Sequence, residues 1–220
     1  MPLQSDNPWL SWRYVHDNSA EILSAVQFHA GLTARAVLLA LAVALPLAVV
    51  AYRWRPLTTA VLALSGALST VPALALLTVI APAVGAARDT SVLIALALCA
   101  LLVLVRSVLT GLTRVPAAVR DAATGMGYSR LGRLLRIELP LALPGILTGL
   151  RLATVSTVAL VTVGSLIGQG GLGDMILGGF RDNFLKAEIL TGALLCVALA
   201  LVLDLALAGL GRLLTPWART

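Results

Sequence analysis

Two charged residues inside apolar runs carry the clearest chemical signal in this sequence. Arg151 lies about eleven residues past Pro140, and Asp204 lies within the last apolar run. A charge in hydrocarbon is costly, so each side chain should face protein or water and pair with an opposite charge. We predict that Arg151 and Asp204 pair with each other, either within a transport path or only as a clamp between helices.

The other reactive side chains form no catalytic or metal-binding pattern. Cys99 and Cys196 each lie within an apolar run, where cysteine acts as a small packed side chain. His16 and His29 show no ligand spacing, and we interpret both as interfacial. No glycine-rich stretch ends in the Lys-Ser/Thr pair of a phosphate loop, and Lys186 is the single lysine. We therefore expect no catalytic residues, no metal and no cofactor in this chain.

The composition predicts a membrane protein. Of the 220 residues, 59% are apolar and 12% are charged, and the mean hydropathy is +0.97. A soluble domain needs far more polar surface than this. The net charge of +6 does not indicate nucleic-acid binding, because the sequence has no basic stripe with interleaved aromatic residues. These cations instead fit the retention of Lys and Arg on the cytoplasmic side of a membrane.

The hydrophobic pattern predicts an all-α integral membrane protein with five spans and one interfacial helix. Each apolar run is near the ~20 residues that cross a hydrocarbon core. We expect spans over residues 34–52, 57–84, 91–112, 139–167 and 189–210, with the second broken or bent at Pro72 and Pro82. Trp9, Trp12 and Tyr14 favour the membrane interface, and residues 18–29 are predicted to form a short amphipathic helix on it.

The distribution of arginines predicts orientation. Arg53 and Arg55 follow the first span, five arginines lie between the third and fourth, and Arg212 and Arg219 follow the fifth. These loops should be cytoplasmic, which puts the N-terminus outside and the C-terminus inside. We expect an N-terminal outer segment over 1–33, a membrane domain over 34–212 with a cytoplasmic loop at 113–138, and a tail over 213–220.

The long loop between the third and fourth spans has the pattern of a connector. Gly125 and Gly127 should end a first helix of small residues, and Ser129 can cap a second one. We expect Leu131, Leu134 and Leu135 to share one face of that second helix. Small residues can sit in a partner's groove, arginines can pair with its carboxylates, and prolines would bend the chain at the fourth span. The alternative is a solvated basic loop that only obeys the charge rule.

This loop resembles the EAA motif of ABC importer permeases. The matching residues are Asp121-Ala122-Ala123, then Gly125, then Ile137-Glu138-Leu139-Pro140, with Asp121 in place of the usual Glu. The resemblance implies a coupling loop that docks on an ATPase, and a lever that leads into the fourth span. It assigns the coupling role to Arg120, Asp121, Ala122, Ala123, Gly125, Met126, Gly127, Arg130 and Arg133, and the lever role to Glu138, Leu139, Pro140 and Pro144.

Two further segments resemble the permeases for glycine betaine, carnitine and choline. Residues 71–77, VPALALL, look like the second-span signature of that subfamily, and residues 167–173, IGQGGLG, look like its outer-loop signature. The second implies an external gate or binding-protein contact at Gly168, Gly170, Gly171 and Gly173. Pathway-lining candidates are Ser69, Pro72 and Ser107, although Ser69 and Ser107 stand where the subfamily usually has Gln and Asn.

The resemblance implies the type I ABC importer permease fold and a multi-pass protein of a bacterial inner or cell membrane. Two permease subunits, either two copies or one copy and a similar chain, would form the pore in membrane lipid. A dimeric cytoplasmic ABC ATPase would supply ATP and Mg chemistry, and an extracytoplasmic binding protein would deliver a quaternary-amine osmoprotectant. The alternatives are the same machine for another solute such as an amino acid, a passive channel, or a membrane enzyme.

Overall fold

The structure is a computed structural model that describes residues 7–68, 71–72, 75, 79, 89–167 and 170–218. These residues form helices and no strand. In chain order the helices are α1 (Trp12–Asp17), α2 (Ser19–Arg53), α3 (Arg55–Leu68), α4 (Asp89–Thr113), α5 (Ala117–Gly125), α6 (Arg130–Arg133), a π-helical turn (Leu134–Glu138), α7 (Leu139–Gly164), a 3-10 turn (Ser165–Ile167), α8 (Leu172–Arg181), α9 (Lys186–Leu214) and a 3-10 turn (Pro216–Ala218).

Helix α2 differs from the prediction. We expected a separate interfacial helix over residues 18–29, but α2 is continuous from Ser19 to Arg53 and passes through the expected boundary at 33/34. The reason is a buried stripe whose helical period never breaks. Its members are Ile22, Ala25, His29, Leu32, Thr33, Ala36, Ala40, Ala44, Ala48 and Ala51.

His29 is consequently not interfacial, as the prediction had it. Its side chain lies on this stripe and is fully buried. The ring Nε2 lies 3.0 Å from the carbonyl oxygen of Val158, to which it donates a hydrogen bond in the fitting tautomer. The position of His29 in the polar N-terminal segment did not predict its burial, because the burial depends on the continuation of α2 beyond that segment.

Four helical segments are long and apolar enough to cross a membrane. They are Ser19–Arg53, Thr90–Thr113, Arg130–Gly164 and Lys186–Leu214. The first, third and fifth predicted spans fall within these segments, and the fourth, predicted over 139–167, begins within the third segment and runs three residues past its end. Of the second, the structure describes the shorter apolar helix Pro56–Ala67 and a few residues beyond it, and Pro72 lies outside the helices and is exposed. Pro82 lies outside the described residues.

The chain divides into two units, and every boundary between them that the structure describes falls inside a helix. The first unit comprises Met1–Ala36, Ala73–Leu96 and Thr154–Leu203. One of its cores packs Leu32, Ala36, Val92, Leu96 and Val161 together. The side chain of Asn7 ties the chain start to α9 in this unit, since it donates to the Phe184 carbonyl at 2.7 Å and accepts from the Lys186 amide at 3.0 Å.

The second unit comprises Val37–Pro72, Ala97–Ala153 and Asp204–Thr220. Its core is built from small residues of α2 facing larger ones of α4, among them Ala44, Ala48, Leu104 and Leu109. Helices α4 and α7 approach closely in this unit. A Cβ on Gly149 would lie 2.2 Å from both side-chain atoms of Ser107, and one on Gly111 would lie 3.0 Å from the Ala142 carbonyl oxygen. Small residues permit this approach.

The close approach yields a prediction about stability. Gly149→Ala should destabilise the protein by about 1–3 kcal/mol, because the added methyl overpacks the contact with Ser107. Removing the opposing side chain in the double variant Gly149→Ala/Ser107→Gly should recover part of the loss. The measurement is the thermal midpoint of the purified protein in detergent.

Gly209→Ala is the matched control, because a Cβ there meets nothing within 4 Å. It should leave the midpoint unchanged or raise it slightly. Equal midpoints for Gly149→Ala and Gly209→Ala would contradict the close contact.

Candidate functional site

Helix α5 carries the first half of the predicted coupling loop. It begins after Pro116 and ends in a Schellman motif, in which Tyr128 N donates to the Ala123 carbonyl at 3.2 Å and Gly127 N to the Thr124 carbonyl at 3.0 Å. Gly127 has φ +82°, a conformation that favours glycine, so the predicted helix stop is confirmed. Asp121 and Ala122 are exposed, whereas Ala123 is buried. The helix therefore presents an exposed face of small residues with one carboxylate.

The second half of the loop is one helical run with a π turn inside it. The Ser129 side chain accepts from Gly132 N at 3.1 Å, which confirms the predicted cap of α6. The run continues through Pro140 and Pro144 into α7 without a break, and the predicted bend at these prolines stays a prediction. Pro140 has no N–H to donate to residue 136 and its ring crowds that turn, and the π turn at Leu134–Glu138 lies directly before it.

Arg133 joins the two halves of the loop. Its Nε donates to Glu138 Oε1 at 2.6 Å, and its Nη1 donates to Thr124 Oγ1 at 2.8 Å. Glu138 is only 1% exposed, so a charge-assisted bond is required to offset the cost of its burial. We call the set Thr124, Arg133 and Glu138 the Arg133 link. It connects the end of α5 to the residue that begins the predicted lever.

A second arginine holds α5 to the end of α2. Arg120 Nη1 donates to the Tyr52 hydroxyl at 3.0 Å. This hydrogen bond raises the pKa of Arg120 above its ordinary value. Arg120 and Arg133 thus both make bonds within the chain, and the pairing of loop arginines with a partner's carboxylates stays a prediction. Arg130 is exposed and makes no such bond to any residue that the structure describes.

The exposed side of the loop combines apolar side chains with polar ones such as Ser129 and Arg136. Met126, Tyr128, Leu131 and Leu135 line a surface cavity of about 690 Å³. Leu131 and Leu135 are more than half exposed, whereas Leu134 is buried in the core of the second unit. The three leucines therefore do not share one face as predicted, because Leu134 lies in the core and Leu131 and Leu135 lie outside it. Two of them instead form an exposed surface with Met126.

The predicted ion pair between Arg151 and Asp204 is present. Arg151 Nε donates to Asp204 Oδ1 at 2.8 Å, and Nη2 donates to Oδ2 at 2.7 Å. This two-bond geometry is the strongest that a guanidinium and a carboxylate can make. It joins α7 to α9 within the second unit. The side chains remain 40% and 25% exposed in the isolated chain.

The glycines of the predicted outer gate mainly meet packing and backbone requirements. Gly171 caps α8 with φ +91° and ψ −165°, a conformation that is nearly restricted to glycine. A Cβ on Gly173 would lie 2.5 Å from Ser165 Oγ, and one on Gly170 would contact Phe28. Gly168 lies outside the described residues. The gate and binding-protein contact therefore stay predictions.

Of the pathway candidates, the structure places Ser107 at a cavity of the second unit. Ser69 lies outside the described residues, and Pro72 does not line the described cavities. Sequence reasoning missed Arg106, which lines the same cavity as Ser107. The sequence could have identified Arg106, because it is a charged residue inside an apolar run. The same criterion identified Arg151. Thr124 and Tyr52 were also missed, since only tertiary packing brings them to the arginines.

The ion pair predicts that the two charges can be exchanged. Arg151→Asp or Asp204→Arg alone should lower the yield of folded protein, since an unpaired charge in the membrane costs roughly 3 kcal/mol on insertion scales. The double exchange should restore the yield, measured as the monodisperse fraction in size-exclusion chromatography. Failure of the double exchange to improve on either single variant would contradict a pairwise role.

Comparison with known proteins is consistent with this architecture. The family profile described as binding-protein-dependent transport system inner membrane component matches residues 34–220. The glycine betaine/carnitine/choline transport system permease protein OpuCD of Bacillus subtilis is 34% identical over 203 residues, covering 92% of this chain and 88% of that protein. The osmoprotectant import permease protein OsmW of Salmonella typhimurium is 35% identical over 207 residues, covering 92% and 96%.

Solved structures support the fold. A chain of the MetNI methionine ABC transporter in inward-facing conformations superposes with a TM-score of 0.80 at 21% identity, covering 90% of this chain and 98% of that one. A chain of an amino acid ABC transporter with histidines gives a TM-score of 0.73 at 17% identity, covering 94% and 98%. The profile match, the relatives and the helical architecture agree, and this chain belongs to the family of binding-protein-dependent transport system inner membrane components, the permease subunits of ABC importers.

Proposed function

We propose that this permease subunit forms the translocation pathway for a quaternary-amine osmoprotectant such as glycine betaine, carnitine or choline. The single observation that carries the substrate class is identity of 34–35% over 92% of the chain to permeases whose names specify these solutes. The amino-acid alternative is supported only by solved structures below 25% identity, which carry the fold and no substrate.

The loop geometry supports a coupling role toward an ATPase partner. Helix α5 offers small exposed residues, and the cavity beside it offers Met126, Leu131 and Leu135. Apolar side chains at such an exposed site fit a protein partner better than solvent. In this proposal a dimeric ABC ATPase binds the loop from the cytoplasm and supplies ATP and Mg chemistry, while this chain is non-catalytic.

The orientation, the need for a second permease subunit and the setting of the ion pair are proposed from the charge distribution and the size of the chain. Five spans, with the second over 57–84, put the N-terminus outside and the arginine-rich loop inside. One subunit of this size encloses little space, so a second copy or a similar permease completes the pore. The partly exposed Arg151–Asp204 pair suits a position covered by protein or water rather than lipid. An extracytoplasmic binding protein delivers the solute.

Stimulated ATP hydrolysis tests the proposal. Co-purified with its ATPase and binding protein in lipid, the chain should support hydrolysis that glycine betaine raises, because solute loading shifts the conformational equilibrium. The measurement is phosphate release with a panel of quaternary amines and amino acids. Stimulation by an amino acid and by no quaternary amine would refute the substrate class and leave the permease assignment standing.

The Arg133 link yields a prediction about coupling. Arg133→Gln and Glu138→Gln should each lower the solute transported per ATP hydrolysed by roughly ten-fold, because losing a charge-assisted hydrogen bond costs about 1.5–3 kcal/mol. Hydrolysis itself should continue, since the exposed face of α5 remains. Uptake and phosphate release are measured together in the same proteoliposomes.

Arg13→Gln is the matched control, because it removes an arginine from an exposed Arg–Asp pair outside the loop. It should leave the ratio unchanged. An unchanged ratio in Arg133→Gln, in complexes that assemble normally, would show that the link does not transmit motion.

A further inference from the structure

A cavity of about 420 Å³ lies within the second unit beside the close contact of α4 and α7. This volume is in the range of about 300–1,000 Å³ found for small-molecule sites. Its polar lining includes Arg106, Ser107, Thr110, Arg114 and Thr148. Among the described residues that line it, no side chain is acidic and none is aromatic. The charge facing the cavity is therefore entirely positive.

Arg106 is the unusual member of this lining. It lies seven residues before Thr113, the last residue of α4, and thus about 10 Å from the helix end at a rise of 1.5 Å per residue. Its side chain is exposed and forms no hydrogen bond or ion pair with any described residue. A guanidinium at such a depth needs water or an anion beside it. Arg114 follows the last residue of the helix and is also exposed.

The hydroxyl groups of the cavity complement this charge. Ser107 Oγ donates to the Val103 carbonyl at 2.9 Å, and Thr148 Oγ1 donates to the Pro144 carbonyl at 2.9 Å. Each hydroxyl has used its proton within its own helix, so its oxygen has lone pairs left to accept. The cavity thus combines two cationic side chains, Arg106 and Arg114, with oxygens of negative partial charge.

We infer that this cavity binds a zwitterion in the translocation pathway, with Arg106 holding the carboxylate and the hydroxyl oxygens facing the quaternary ammonium. This inference rests on the proposed function and narrows it. A solute that is only a cation, such as choline, would meet an unpaired arginine and no aromatic or acidic side chain from the described lining. Glycine betaine and carnitine both carry the carboxylate that the arginine requires.

Saturation-transfer NMR tests the inference on the permease–ATPase complex in nanodiscs without its binding protein. Glycine betaine and choline are the two probes, since both expose the same trimethylammonium protons. The wild type should give a glycine betaine signal at least several-fold above that of choline. Arg106→Gln should lower the glycine betaine signal about ten-fold, because one charged hydrogen bond is lost, and leave choline unchanged. Arg106→Lys should retain an intermediate signal.

Arg13→Gln is again the control and should match the wild type. Equal loss of both signals in Arg106→Gln would overturn the inference, because the arginine would then support the site rather than read the carboxylate. An unchanged glycine betaine signal in Arg106→Gln, or wild-type signals equal for the two probes, would also overturn it. Uptake of glycine betaine by wild-type proteoliposomes separates a failure of the proposed site from a failure of the proposed function. If glycine betaine is transported while the NMR comparison fails, the proposed function stands and the site does not.

Discussion

Ser107 on α4 and Gly149 on α7 touch so closely that no Cβ fits between them. These two helices bracket the arginine-rich loop, so their contact fixes the distance that the loop has to span. Arg106, one residue before Ser107, lines the cavity to which both helices contribute. Van der Waals packing of small residues supplies this contact, because lipid gives helices no hydrophobic reason to associate. The loop geometry and the candidate solute site both depend on that packing.

Hydrogen bonds from two arginines hold the loop, in addition to the burial of Ala123 and Leu134. Arg120 bonds to Tyr52 at the end of α2, and Arg133 bonds to both Thr124 and the buried Glu138. Helix α5 is therefore fastened to α2 and to the start of α7 by guanidinium groups. Its outward side keeps small and apolar residues exposed. One face of α5 is therefore left for a partner, and the other face is bonded to the membrane helices.

Local sequence signals predicted the local structure well. Ser129, Gly127 and the apolar runs have meanings that depend on a few neighbouring residues, and the structure confirms a cap, a helix stop and four long apolar helices. The pairing of Arg151 with Asp204 could also be predicted, because a charge in hydrocarbon needs a partner and few candidates exist.

Features that depend on tertiary packing or on helix phase escaped prediction. His29 looked interfacial because the segment before it is polar, yet the buried stripe of α2 extends past it. Arg133 looked available to a partner because nothing in the sequence places Glu138 beside it. The leucine face failed for a third reason, because a period of 3.6 residues does not show which edge of a face is buried, nor that a π turn begins within it.

That π turn at Leu134–Glu138 has a mechanical consequence. A π turn holds more residues than an α turn, so the segment between α6 and α7 contains about one residue more than an α-helical turn would. If the segment returned to α geometry, α6 would rotate by about 100° and shift by about 1.5 Å relative to α7, which is the step of one residue. The loop helices could then rotate about their axis as well as move along it. The side chain of an exposed residue such as Leu131 would point in a different direction after the change.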